Sequence, residues 1–398
     1  MIAIAAGIGA FLPVAPPILC PTIWRNSKIL VEKEKRKMKE KKVLVMLLAL
    51  AMSLAMLCSC GTNGAADADD KGNEGGEEGD KLLIGLSVRG LDNPYYVELV
   101  EGVQKFVDAH PGTELVLMEH HGDDQKEVND VKAFASRGEN AILYIDPQSA
   151  AVCAEVAEIC EENEIYWASA YTIAKDIYPW NYHYFVSHLA LDDVTAGYEV
   201  AKCMFEAFEG KDAKILCMAG ELSNDASINR IKGLEQALAE YPNVTLVDTQ
   251  PADWDSQKAL NVAQTWMTSY SDVDGIWVAN DGMAVAVVEA LKAMNLNGKI
   301  KVVGVDCIPT GVDAIKAGDM TATFYPYPAY MGCSGVAMAY AAYTGAIDPD
   351  ALTHEESCYL TPGLLVNADN VETFKDSMPA LDFDNPQFWN AGPLNVEK

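Results

Sequence analysis

From residue 82 onward, short and nearly continuous apolar runs recur between amphipathic segments: "LLIGLSV", "TELVLME", "AILYID", "EIYWASA", "KILCMAG", "VTLVDT", "GIWVAN", "KVVGVD" and "TATFYP". Strands apolar on both faces must be covered on both faces. Their alternation with helical segments predicts an α/β fold with parallel sheets and crossover helices. Residues 81–398 are long enough for two such domains.

The pattern also repeats. "DDQKEVNDVKAFASRGENAILYID" and "WDSQKALNVAQTWMTSYSDVDGIWVAND" share an acidic start, a lysine, a long amphipathic helix and a strand ending in Asp or Asn-Asp. Each falls in the second helix–strand step of its own half. Two similar open-sheet lobes leave a crevice at the carboxyl ends of their strands, so polar and aromatic residues just past strand ends are the site candidates. Those positions hold Asn93, Tyr95 and Tyr96 after the first run, Trp167 and Tyr171 in and after the fourth, and Arg230 early in the helix after "KILCMAG". Trp254, Asn280 and Asp306 follow later runs. Asn93 and Pro94 suit helix initiation, but two adjacent tyrosines do not, since at least one must leave the packed face of that turn.

These residue types fit a polyhydroxy ligand. A buried hydroxyl left without a partner costs about 1–3 kcal/mol, so each needs a matching group. Asp306 accepts, Arg230 donates through a planar fork, Asn93 and Asn280 do both, and aromatic planes cover apolar C–H faces.

Four segments together resemble the ribose/galactose type of periplasmic binding protein, the sugar-capturing component of an ABC importer. They are "DNPYY", "QPADWDSQKALNVAQ", "VANDGMA" and "VVGVDCIPTGVDAIKAG", and the resemblance spans residues 81 to about 366. It implies a type I fold: two doubly wound parallel-sheet lobes, 81–187 plus 327–359 and 188–326 plus 360–398, joined by three crossovers. It places Asn93, Tyr95, Tyr96, Arg230, Trp254, Asn280 and Asp306 on ligand-contacting positions. Trp167 and Tyr171 remain candidates from the strand-end reading alone. An Asp-Arg pair of the family is replaced by Ala170 and Tyr171, and a hinge glutamine by Pro326. Fewer polar partners imply a ligand with fewer or differently placed hydroxyls. A neutral monosaccharide or close relative is expected, because Arg230 and Asp306 balance each other's charge. The implied partners are a permease and its ATPase, the chain acting as a monomer without cofactor. A lobe presenting its ligand to a membrane sensor kinase is the alternative.

The N-terminal region reads as an address. A cationic segment, Met38–Lys42, precedes an apolar core, Val43–Leu57, and then Leu57-Cys58-Ser59-Cys60. The core is shorter than the ~20 residues of a membrane span and reads as a secretory signal at 38–59. Its end resembles a bacterial lipobox, which would make Cys60 the lipidated mature N-terminus, holding the protein on the outer face of the cytoplasmic membrane by the lipid anchor alone. Residues 1–37 read as an upstream extension and 60–80 as an acidic, Gly-rich tether. Within the tether, Asp67, Asp69, Gly72 and Glu78 match part of a calcium loop, but Lys71 stands at a ligand position.

Other functions fit poorly. With 29 Lys and Arg against 58 Asp and Glu, a formal charge of −29, the chain repels nucleic acid. No catalytic motif has its required spacing: "GCSG" at 332–335 is too short, and His354-Glu355-Glu356 lacks a second histidine. His120 and His121 are adjacent and cannot share a helix face, so no metal site is expected. The seven cysteines beyond residue 60 lie in apolar patterns and read as buried small hydrophobes.

Overall fold

A computed structural model describes residues 81–377 except 139, and 380–383, 385–387, 390–394 and 396 of the tail. Residues 1–80, with the expected signal segment, Cys60 and the expected tether, lie outside the described residues.

Twelve described strands form two six-stranded sheets. The first contains β1 (Leu82–Val88), β2 (Thr113–Glu119), β3 (Ala141–Ile145), β4 (Tyr166–Ala170), β5 (Phe185–Leu191) and β11 (Cys358–Thr361), in the order β11-β5-β4-β3-β1-β2, all parallel. The second contains β6 (Ala213–Ala219), β7 (Val244–Pro251), β8 (Gly275–Val278), β9 (Lys301–Val303), β10 (Ala322–Tyr325) and β12 (Leu364–Asn367), in the order β12-β10-β9-β8-β6-β7. The two orders match position for position, as the internal repeat predicts. The exception to parallel pairing is β12, which runs antiparallel to β10.

Seven crossover helices begin at a side-chain cap placed where the preceding strand has ended. They are α1 (Pro94–Ala109), α2 (Asp124–Ala135), α3 (Ala150–Glu162), α4 (Asp193–Glu206), α5 (Asp225–Glu240), α6 (Ser256–Ser269) and α7 (Asp281–Ala293). The caps are Asn93, Asp123, Ser149, Asp192, Asn224, Asp255 and Asn280, each accepting from a backbone N–H of the first turn. Because the strands are parallel, these capped N-termini gather at one edge of each sheet, facing the crevice. After them come α8 (Pro309–Lys316) and α9 (Pro328–Tyr343). The latter is apolar all round and buried against the first sheet and α1, as a helix without a polar face requires.

Close packing of α4 on α5 positions part of the site. A methyl group on Gly197 would lie 2.0 Å from the carbonyl oxygen of Arg230. Only glycine admits that approach, which brings Arg230 beside Asp193 at the start of α4.

The chain passes between lobes after Leu191, between Tyr325 and Pro328, and between Thr361 and Leu364. The expected boundaries at 187/188 and 359/360 fall inside β5 and β11, because both strands run to completion in the first sheet before the chain leaves it. The tail departs further. Residues 391–394 hydrogen-bond along β11, so this part of the tail joins the first sheet rather than the second lobe. The seven described cysteines are free thiols, all but Cys203 fully buried.

Candidate functional site

Strand ends of both lobes converge on one cavity lined by Arg89, Asn93, Tyr95, Tyr96, His120, Asp146, Gln148 and Tyr171 from the first lobe. From the second come Asn224, Ala226, Arg230, Trp254, Asn280 and Asp306. Eight of the nine expected residues are therefore brought together. Trp167 is not among them. It is fully buried, stacked on Phe185 with ring centroids 3.8 Å apart, in the layer beneath α2 and α3. Its place within β4 turns it into that core, whereas Tyr171, just past the strand end, reaches the cleft.

The second-lobe half is organised by one cation. Arg230 is 4 % exposed; its Nε donates to Asp193 Oδ1 at 2.7 Å and its Nη1 to the Ala279 carbonyl at 2.8 Å. Asp306 Oδ1 lies 3.6 Å from the same Nη1. Burial alone would lower the guanidinium's pKa, but Asp193 and Asp306 outweigh it and hold the group firmly charged. Burial also pushes the carboxyls of Asp193 and Asp306 up, to about 6 and about 7, against the pull of Arg230. The Arg230 guanidinium carbon stands 5.8 Å from the Trp254 ring centroid. The Trp254 ring lies against Gly220, where a methyl group would come within 2.3 Å of it.

Strain marks the same residues. Tyr171, Trp254 and Asp306 have φ of +54°, +63° and +115°, a region non-glycine residues rarely occupy. The Asp306 turn is held from below by Asp281, fully buried, which accepts from Thr323 Oγ1 at 2.8 Å and from the Ile308 N–H at 3.1 Å. Asn280 caps α7 with its oxygen, accepting from the Met283 N–H at 3.1 Å, and its side chain also hydrogen-bonds Asp306. Asn93 likewise caps α1 through its oxygen, accepting from the Tyr95 N–H at 3.0 Å. Capping occupies each side-chain oxygen and leaves the amide nitrogen as the donor.

The first-lobe half contains groups that the sequence reading passed over. Tyr96 Oη donates to Asp146 Oδ2 at 2.8 Å, and burial pushes the Asp146 carboxyl up to about 7. Arg89 Nη1 donates to Gln148 Oε1 at 2.7 Å, and Gln148 Nε2 donates across the cleft to Glu221 Oε2 at 2.9 Å. Tyr325 of the second lobe donates to Glu98 of the first. The strand-end rule covers Arg89, Asp146 and Gln148; Asp146 ends "AILYID" as Asp306 ends "KVVGVD".

Beneath Asp146, Glu127 is fully buried, accepting from Ser87 Oγ at 2.9 Å and from the Gln148 N–H at 2.9 Å. Burial pushes its pKa to about 8 and that of neighbouring His120, 3.8 Å away, down to about 4. Both are therefore neutral at pH 7, and their contact is not an ion pair. Folding then takes up a proton at Glu127 between its ordinary value of 4.5 and about 8, so stability falls as pH rises through that window. Glu127→Gln, which keeps a neutral group of the same shape, is expected to flatten the fall. Chemical denaturation of the variant at pH 5 and pH 8 should differ by roughly 2–4 kcal/mol less than for the wild type. Equal slopes would show that Glu127 is ionised in the fold.

Comparison with known proteins agrees with this geometry. The sequence pattern of the family described as "Periplasmic binding protein domain" matches residues 84–347. The ribose import binding protein of Haemophilus influenzae is 32% identical over 256 residues, 64% of this chain and 84% of that protein. The xylitol-binding protein of Mycolicibacterium smegmatis is 27% identical over 295 residues, 74% of this chain and 79% of the relative. The crystal structure of a twin-arginine translocation pathway signal protein from Burkholderia phytofirmans superposes with a TM-score of 0.76 at 33% identity, covering 79% of this chain and 99% of that one. With two matched sheets, three crossovers and a polar cleft between them, the chain belongs to the periplasmic binding protein family.

Proposed function

We propose that this protein is an extracytoplasmic substrate-binding lipoprotein that captures a monosaccharide, or a close relative of one, between its lobes and delivers it to an ABC importer. The observation that carries the reading is the cleft itself: Asn93 and Tyr96 of one lobe face Arg230, Trp254, Asn280 and Asp306 of the other around a single cavity. Such a set supplies donors and acceptors for hydroxyls and aromatic planes for C–H faces. A ligand touching both lobes stabilises their closed arrangement, because each lobe alone offers half of the contacts. The names of the relatives, a ribose importer component and a xylitol binder, support a small polyhydroxy compound.

A thermal-shift screen of pentoses, hexoses, inositols and linear polyols tests the proposal. A ligand at 100 times its Kd adds about 2.7 kcal/mol, a clear rise in melting temperature. No shift by any member at millimolar concentration would contradict it. The anchor is tested separately. Cys60→Ser removes the thiol that lipid attachment needs, so the variant is expected in the soluble fraction or as unprocessed precursor. Membrane-bound Cys60→Ser of unchanged electrophoretic mobility would refute lipidation.

A further inference from the structure

The two ends of the cleft differ in charge. The second-lobe end has its own buried cation, Arg230, already shared by Asp193 and Asp306. Among the described residues, the first-lobe end has a buried carboxyl group, Asp146, and no buried Lys or Arg. Asp146, 8 % exposed, accepts one hydrogen bond, from Tyr96, and its other oxygen takes none from the described residues. Arg89 is near enough to favour its ionised form, but it is about 30% exposed and engaged with Gln148 and Glu221. Tyr96, which donates to Asp146, belongs to a cluster of three phenol rings. Tyr95 and Tyr96 meet edge to face at 5.0 Å, Tyr95 and Tyr171 at 6.2 Å, and the Tyr95 and Tyr171 hydroxyls hydrogen-bond at 2.9 Å. All four residues line the cavity.

We propose that the ligand is an amino-substituted sugar or cyclic polyol whose ammonium group sits against Asp146 among the rings of Tyr95, Tyr96 and Tyr171. This rests on the sugar-binding reading above and replaces its expectation of a neutral ligand. An ammonium donates to the open carboxyl oxygen and holds Asp146, which burial leaves only partly ionised at pH 7, in its charged form. A hydroxyl at the same place provides only the first of these. A hard metal ion requires more oxygen ligands than Asp146 supplies, and no group of three acidic, His or Cys side chains suited to a metal exists among the described residues.

Calorimetric titration of the full chain with matched pairs tests this: D-galactosamine and D-galactose, D-glucosamine and D-glucose, scyllo-inosamine and scyllo-inositol. In at least one pair the amine should bind at least roughly tenfold more tightly. That advantage should vanish in Asp146→Asn. If neutral members bind as tightly as their amines, or more so, the ammonium proposal is overturned while the sugar-binding reading stands. An advantage that persists in Asp146→Asn also overturns it. If no member of any pair binds, the ammonium proposal is overturned, while the sugar-binding reading stands or falls with the wider screen of pentoses, hexoses, inositols and linear polyols.

Discussion

Replacing Arg230 with methionine is expected to destabilise the protein by about 3–5 kcal/mol, the largest loss of any single substitution in the cleft. The side chain is buried, and its removal strands two buried carboxylates, Asp193 and Asp306, that now share its charge. Both already have raised pKa values with Arg230 present, about 6 and about 7. Without it they rise further, and the fold must bind protons that the unfolded chain releases near pH 4. The loss should therefore be smallest near pH 5 and grow towards pH 8. Denaturant titration at the two pH values measures it. Adding Asp193→Asn to Arg230→Met should recover part of the loss, since it removes one of the stranded charges. A loss under about 1 kcal/mol, independent of pH, would show that the triad is solvated and contributes little.

Asp306→Ala is expected to lower ligand affinity by about 2–4 kcal/mol while leaving the fold intact. Arg230 keeps Asp193 and the Ala279 carbonyl as partners, so the variant does not strand a buried cation. The bound ligand loses an acceptor for its hydroxyls. Trp254→Ala should lose about 1–3 kcal/mol through the apolar face it provides. Isothermal titration of the two variants with a ligand selected by thermal shift gives both values. Wild-type affinity in both would place the site elsewhere.

Nine of the twelve strands were legible because each is a compact apolar run. The three others hid for physical reasons. In β5, "FVSHLAL", Ser187 and His188 interrupt the apolar pattern, yet both are buried, and His188 Nδ1 finds Ser169 Oγ at 2.7 Å. The strands β11 and β12 are four residues each and lie outside the strand–helix rhythm. At the site, position relative to strand ends marks the cleft residues, and Asp146, at the end of "AILYID", falls under the same rule. It misplaced Trp167, because a tryptophan inside a strand faces whichever layer covers it. The charge balance was not legible: Asp193 and Arg230 are 37 residues apart, and their pairing depends on how closely α4 approaches α5. Nor do residue types disclose the positive φ of Tyr171, Trp254 and Asp306, which closure of each turn imposes.

If the proposed function holds, both lobes bind one small polyhydroxy ligand at the strand-end cavity. A crystal structure of the protein with the ligand chosen by thermal shift tests it most directly. The expected complex has the ring between Trp254 and Tyr96, with hydroxyls on Asp306, Asn280 and Asn93. A ligand seated instead in the hinge-side pocket lined by Lys175, His188, Asp192 and Lys232, with the strand-end cavity untouched, would contradict it.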